Sequence, residues 1–444
     1  MTLPEKYDWV QMNPELETAL DLIINSEDHL NILGPAGVGK TVLLKMICDN
    51  EVLPRKNVVV LSSTGIAAVN ASSEGIIGST IHSFFNLGAY SVYTPGMMRI
   101  DNRIYEVVNN IDIIVIDEIS MVTSNLLDFV IETLRFYRSK QWKDVPRIIL
   151  FGDILQLPPV INNKDENIKK FYHELYNDQY MYFNASNFKD LAFKTIHLNT
   201  IYRQTDTSFQ QVLNRVRQAT HTMQDLNMLN QYHIAEEDFF DKHENYLYIA
   251  TTNATVDKIN AIALDVLDTE EKTYNAIITG KINLNDKKML PTTVRLKKDI
   301  QVMCIKNATD GSYKNGTMGK VLSLHDDTVY IKLSNGRELD IPRTDWAEFD
   351  YVMEDGDVHN IKPVQVGNFN QISLKSASAI TTHKCQGQTL ETAYIDLEQY
   401  VFADGLTYVA LSRLKSLDGL GLKRKIRMTD IRASKEALDF LSHV

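Results

Sequence analysis

The sequence predicts an α/β protein with two domains built on parallel sheets, a small β-barrel inserted into the second, and a short insertion in the first. Three observations carry this reading. Between residues 30 and 160, short apolar runs alternate with helical patterns. The segment Gly34-Pro35-Ala36-Gly37-Val38-Gly39-Lys40-Thr41, placed directly after the first of those runs, matches G-x-x-x-x-G-K-[ST]. Residues 328–341 then change to strict apolar–polar alternation around an Asn335-Gly336 pair.

The apolar runs fall at 30–33, 58–61, 111–116 and 148–151, and each ends in a polar or glycine-bearing turn. Uninterrupted apolar strands between helices indicate a parallel sheet covered on both faces, with its chemistry at the carboxyl ends of the strands. A weaker pattern of the same kind starts near 197–201, resumes at 246–250 and 393–397, and closes with a helical stretch at 428–443. The alternating stretch reads as a hairpin with a tight Asn-Gly turn. The expected boundaries are 1–190 for the first domain, 191–295 with 372–444 for the second, and 296–371 for the barrel. With 444 residues, two to four domains are the prior expectation.

Composition bounds the class. Hydrophobic residues make up 44% and charged residues 23%, the balance of a globular protein. No long uncharged apolar run suits a membrane span, and the acidic start lacks the apolar core of a secretory signal. Cys48, Cys304 and Cys385 are too scattered for a disulfide framework or a CxxC metal site, which fits a reducing, cytoplasmic setting (nucleoid-associated in a bacterium). The net charge of −11 speaks against a basic footprint over the whole surface, but not against a basic channel between acidic faces.

The motif at 34–41 needs its glycines so that main-chain N–H groups approach phosphate oxygens, and Val42 continues the helix whose N-terminus favours negative charge. Lys40 is expected to hold the β- and γ-phosphates of ATP, and Thr41 to ligate Mg²⁺. Asp117-Glu118 ends the run at 111–116. Asp117 would bind the Mg²⁺ and Glu118 would orient and deprotonate the attacking water, because adjacent carboxylates at a strand end are costly without a cation. In Gly152-Asp153-Ile-Leu-Gln156-Leu-Pro-Pro159, the amide of Gln156 suits γ-phosphate sensing or water positioning. These parts imply ATP hydrolysis without separating a kinase, a GTPase and a motor.

Further segments separate them. SSTGIAAVN at 62–70, STIHSFF at 79–85, DEISMVTSNLLDFV from 117, FGDILQLPPV from 151 and IYRQTDTSF from 201 appear in fixed order. ATTNATVDKIN from 250, NGTMGKV from 315, TTHKCQGQTL from 381 and TYVALSRLKSLDGL from 407 follow. The set resembles superfamily-one helicases, most closely the Pif (petite integration frequency) DNA helicases, with Dda and RecD helicases more distant. The resemblance implies two RecA-like domains with ATP in their cleft and an SH3-like identity for the inserted barrel. It also implies 5′-to-3′ movement on single-stranded DNA and work in replication, repair, recombination and telomere maintenance. By the same resemblance Arg203 and Arg413 are arginine fingers, and Gly387, with Gln388, lies near the nucleotide. Where the family carries an adenine-reading glutamine this chain has Leu16, with Gln11 near but out of register, so strict preference for ATP is not expected.

For DNA, Thr64 with Gly65 and Thr381 with His383 suit phosphate contacts from the two domains, His82 a phosphate and Phe84 a base. Phe84 fits core packing equally well, and His383 fits a hydrogen-bonded structural role. Residues 86–103 resemble the segment that forms the wedge splitting the duplex, or are a surface loop. The cluster Lys423-Arg424-Lys425 with Arg427 reads as a solvated basic face. The expected partners are single-stranded and forked DNA and a single-strand-binding protein, with the enzyme a monomer. Two rival readings stay open: an RNA helicase, since backbone and stacking contacts rarely exclude the 2′-hydroxyl, and an ATP-loaded clamp that does not unwind.

Overall fold

The computed structural model describes residues 4–49, 51–54, 56–63, 78–85, 87, 92–97, 102–161, 165–204, 206–235, 246–280, 291–306, 308, 310, 312–313, 317–333, 336–353 and 361–444. Thr64, Gly65, Asn335 and half of the 86–103 segment lie outside them. The chain divides into two compact units, Met1–Thr251 with Thr381–Val444, and Thr252–Ile380.

The first unit contains two lobes. Among the described residues, the first lobe has a six-stranded parallel sheet made of β1 (Leu30–Leu33), β2 (Val58–Ser62), β3 (Gly78–Thr80), β4 (Ile113–Asp117), β5 (Arg147–Gly152) and β6 (Lys194–His197). Their spatial order is β3-β2-β4-β5-β1-β6. The period of two along each strand sends alternate side chains to opposite faces. Ile114 and Ile116 of β4 with Ile148 and Leu150 of β5 join one core, packed under the helix Ser124–Ser139. Ile113, Val115, Ile149 and Phe151 join the other, covered by α1 (Pro14–Asn25) and α2 (Lys40–Ile47). Both faces are therefore dry, and the central strands read as unbroken apolar runs.

β6 corrects the expected boundary at residue 190. It pairs in parallel with β1, Leu30 opposite Lys194 through Leu33 opposite His197, so the first lobe extends at least to His197. As an edge strand it is only partly buried, and its Lys-Thr-Ile-His sequence lacks the apolar signature.

In the second lobe the strands Leu247–Ala250, Ala393–Asp396 and Leu420–Leu422 pair in parallel. The helix Thr207–Arg217 and the short helix Leu406–Leu411 lie against each other beside this sheet. The last helix, Lys435–Leu441, returns to the first lobe, where Ala437 enters the core and Phe440 stacks on Phe183 at 4.3 Å.

The second unit is antiparallel. Its sheet runs Leu374–Ser376, Gln301–Cys304, Met318–Leu324, Thr328–Leu333, Glu338–Met353, Ile361–Ile372, Ile277–Gly280 in space. Val302, Val321, Val329, Ile331, Ile341 and Ile372 form its core, so the alternation at 328–333 does mark one buried face. The unit begins before the expected 296 and ends after 371, because the strands Glu271–Asn275 and Ile277–Gly280 belong to it.

α1 supplies one wall of the cleft described next; its apolar face is buried in the core, and one cation ties its C-terminal end to β5. Asn13 caps its N-terminus, Oδ1 accepting from Leu16 N at 2.8 Å, with Pro14 at the first helical position. At the other end Arg147, the first residue of β5, donates to Leu22 O (2.8 Å), Ile23 O (2.5 Å) and Asp28 O (2.8 Å). Replacing Arg147 by Met keeps the stem but orphans these carbonyls, at a cost of about 2–3 kcal/mol. Thermal unfolding followed by circular dichroism is expected to show the main transition lowered by roughly 3–5 °C. A shift smaller than about 2 °C would show that the carbonyls find other partners.

Candidate active site

The carboxyl ends of β1, β4 and β5 converge on one point. β1 gives way to the phosphate loop, and Gly34 N–H donates to Gly152 O at 3.1 Å, tying the loop to the end of β5. Gly39, at φ 92°, is the N-cap of α2. Gly37 combines a φ of 85° with close approach: a β-carbon there would lie 2.5 Å from Cβ of Arg203. Only glycine satisfies both conditions.

A cleft of about 610 Å³ opens here. From the first lobe it is lined by Ala36, Gly37, Gly39, Lys40, Thr41, Val42, Asp117, Glu118 and Gln156. Arg203 lines it from just beyond β6, and Gly387 and Arg413 from the second lobe. All five expected catalytic residues therefore share one cavity with the greater part of the expected nucleotide loop. Gly34 and Pro35 contribute carbonyls instead, which accept from Lys40 Nζ at 2.6 and 2.8 Å. Val38 turns its side chain into the first-lobe core.

The charges here are poorly solvated. Burial pushes the Asp117 carboxyl up to about 7, and the neighbouring Glu118 carboxylate adds to the shift. Burial also lowers Lys40, against the pull of Asp153, Glu118 and Asp117. Arg203 is lowered to about 10, first by burial and then by Arg413. Arg413 is only 1% exposed, and its guanidinium donates to neutral acceptors: Val409 O (3.0 Å), Ser412 Oγ (2.8 Å) and Gln388 O (3.4 Å). Arg203 Nη1 likewise donates to Ser412 O at 3.2 Å. A buried and a half-buried cation facing one cleft, with no carboxylate partner among the described residues, make a receptor for an anion.

Four further connections were invisible in the motifs. Asp153, fully buried, would be raised by burial alone, but Arg217 of the second lobe holds it low through contacts of 2.7–3.1 Å. Tyr408 OH accepts from the loop amide Ala36 N at 3.0 Å. Gly405, at φ 73°, approaches so closely that a β-carbon would meet Gln156 O at 2.4 Å. Gln386 Nε2 donates to Glu118 Oε2 at 2.9 Å and to Gln156 Oε1 at 3.0 Å. No spacing rule would have found Gln386, because its partners lie 268 and 230 residues away. Gln388, singled out with Gly387 above, bonds back to Lys384 O and gives only its carbonyl to Arg413.

At the other end of the cleft stand Trp9, Val10, Gln11, Leu16 and Tyr202. Leu16 is buried against the Gly39 turn, and Tyr202 OH donates to Gln11 O at 3.0 Å.

The expected DNA contacts are mixed. Thr381 caps the short helix Thr382–Cys385, its Oγ1 accepting from Lys384 N at 3.3 Å, and His383 lies in that turn, lowered by burial. His82 Nε2 pairs with Tyr93 OH at 2.7 Å. Phe84 is 9% exposed and joins the first-lobe core beside Phe85. It is a core residue here, which corrects its expected role as a stacking platform. Two of the four cations of the Lys423–Arg427 cluster, Arg424 and Arg427, both hold Asp430, so these two serve the fold.

Comparison with known proteins agrees with this geometry. Residues 11–227 match the family described as PIF1-like helicase. The chain is 30% identical over 424 residues to ATP-dependent DNA helicase Pif1 of Bdellovibrio bacteriovorus, covering 93% of this chain and 88% of that one. It is 26% identical to ATP-dependent DNA helicase RRM3 of Saccharomyces cerevisiae, over 93% of this chain and 65% of that one. The crystal structure of Pif1 helicase from Bacteroides in complex with ADP-AlF3 and ssDNA superposes with a TM-score of 0.80 at 30% identity, over 98% of this chain and 97% of the other. For Pif1 helicase from Candida albicans the TM-score is 0.79 at 26% identity, over 98% and 99%. On identity, coverage and fold together, the chain belongs to the PIF1-like helicase family.

Proposed function

We propose that this chain, an ATP-dependent DNA helicase, moves 5′-to-3′ along single-stranded DNA and splits forked duplex, with ATP bound and hydrolysed in the cleft between its two lobes. The observation that carries the reading is the cleft itself: a phosphate loop and two carboxylates on one lobe face the buried Arg413 and the Gln386 amide of the other, with Arg203 between them bonded to Ser412 O. A catalytic centre divided in this way works only when the lobes are together, which makes hydrolysis a clock for lobe movement.

The roles follow from the chemistry. Main-chain N–H groups of the loop and Lys40 would hold the phosphates, and Glu118 would take the proton of the attacking water. Gln156 would report the γ-phosphate. Arg203 and Arg413 would exchange their carbonyl partners for the charge that develops in the transition state. The residues fit a divalent cation. Asp117 is a buried carboxyl beside a second one, and Thr41 adds a hydroxyl. Among the described residues no cluster of three metal-ligating side chains occurs, so Mg²⁺ would arrive mainly on the nucleotide. Bound there, it would neutralise phosphate charge.

For the DNA strand, Thr64 and Gly65 on the first lobe and Thr381 with His383 on the second are the proposed phosphate contacts, alternating their grip as the cleft cycles. His82 is a further proposed phosphate contact, and the 86–103 segment the proposed wedge. We take the enzyme to act as a monomer, with a single-strand-binding protein as a partner on the displaced strand. Among the described residues no helix is long and apolar enough to cross a membrane, and we place the enzyme with the cell's DNA.

Glu118→Gln keeps shape but removes the base. It is expected to retain nucleotide and DNA while turnover collapses; near-normal turnover would reject the assignment. Arg203→Lys and Arg413→Lys should each lower kcat by up to ~10³-fold with little change in ATP affinity. An effect on affinity alone would make that arginine a binding residue.

Polarity is tested on forks. A duplex with a single 5′ DNA tail should be unwound and one with a 3′ tail should not. The reverse preference would overturn the direction, and equal activity on a 5′ RNA tail would favour an RNA helicase.

A further inference from the structure

Gln386 has a hydrogen-bonding deficit whose location is informative. The side chain is 3% exposed. Its Nε2 has two protons, and two acceptors take them, Glu118 Oε2 at 2.9 Å and Gln156 Oε1 at 3.0 Å. Both neighbours being acceptors, the amide has only one sensible orientation. That leaves Oε1, which is buried and has no hydrogen-bond partner among the described residues. A buried carbonyl without a donor is costly, so a natural structure that retains one has a use for it. Gln156 is itself oriented, its Nε2 lying 3.4 Å from Asp153 Oδ2 and Asp153 being locked by Arg217. The amide that carries the orphan oxygen is thus anchored through Nε2 to the carboxylate assigned as the base.

We propose that Gln386 is a water-holding catalytic residue, delivered from the second lobe, whose Oε1 accepts one proton of the attacking water while Glu118 accepts the other. With both O–H bonds so directed, a lone pair of the water is left for the γ-phosphorus. The step balances as follows. The water oxygen forms a bond to γ-phosphorus, the bond from γ-phosphorus to the bridging oxygen breaks with its electron pair going to ADP, and the proton facing Glu118 passes to that carboxylate. The proton facing Gln386 stays on the new phosphate. The inference rests on the reading of the cleft as the hydrolytic centre. It adds a link to DNA, since Gln386 directly follows the short helix Thr382–Cys385, whose N-cap is Thr381. A strand gripped at that turn would set the position of the water.

The test compares Gln386→Met, Gln386→Ala and Glu118→Gln in the full chain. It reads DNA-stimulated ATP turnover, affinity for a fluorescent ATP analogue, affinity for single-stranded DNA, and thermal unfolding. Loss of one preorganised hydrogen-bonding group is expected to lower kcat on the order of 10²-fold in both Gln386 variants. Nucleotide and DNA affinities should change by less than about threefold, because Gln386 is assigned no direct contact with bound nucleotide or DNA. A kcat within about threefold of the unsubstituted chain would overturn the proposal. So would a fall in kcat/KM carried by KM and accompanied by a lowered unfolding temperature, which is the signature of a merely structural residue. If Glu118→Gln also turns over normally, the reading of the site fails; if it alone is inactive, only the role of Gln386 fails.

Discussion

Burying charge at the end of a parallel sheet is expensive, and this molecule's first unit is organised around that expense. Lys40, Asp117, Glu118 and Asp153 crowd the strand ends of one lobe, while Arg203 and, from the other lobe, Arg217 and Arg413 face them. Asp153 and Arg217 satisfy each other across the lobes through a buried bidentate contact. The remaining groups do not pair off. Asp117 is raised to about 7 and Arg203 lowered to about 10, each strained by burial and by a like charge. On the proposed function, a triphosphate with a divalent cation would relieve both strains at once, the anion for the arginines and the cation for the carboxyls. Affinity for nucleotide and closure of the lobes would then be the same event.

Closure is made specific by contacts that tolerate no extra atom. Gly37 packs under Arg203, and Gly405 meets the backbone of Leu155 and Gln156. The hydroxyl of Tyr408 receives a loop N–H. These are backbone-level fits between segments hundreds of residues apart, so a small rotation of one lobe breaks several of them together. Interfaces of this kind are bistable, as a motor requires.

The legible part of the site was the part written locally. Lys40, Thr41, Asp117, Glu118 and Gln156 stand in short motifs at strand ends, and the central strands announce themselves because both faces are buried. What was misread had weak local signal. β6 lies at an edge with Lys194 exposed and its other three residues only half-buried, so Lys-Thr-Ile-His did not read as the last strand of the first sheet. Phe84 fitted a base contact and core packing equally well, and the neighbouring Phe85 left open whether both could join one core. At the end of the short helix Ile81–Phe84, both do, their rings edge to face at 5.0 Å. Gln386 and Tyr408 stand inside quoted segments and Arg217 in none, but the role of each was hidden, because it comes from a partner between 64 and 372 residues away.

The central claim is that the two lobes jointly enclose the reacting phosphate. A crystal structure of this chain with ADP, a metal-fluoride mimic of the γ-phosphate and single-stranded DNA tests it most directly. The account predicts that the guanidiniums of Arg203 and Arg413 leave the Ser412 and Val409 carbonyls for the fluoride, with a water seated between Glu118 and the mimic. Arginines still bonded to those carbonyls, with the mimic bound by the first lobe alone, would contradict it.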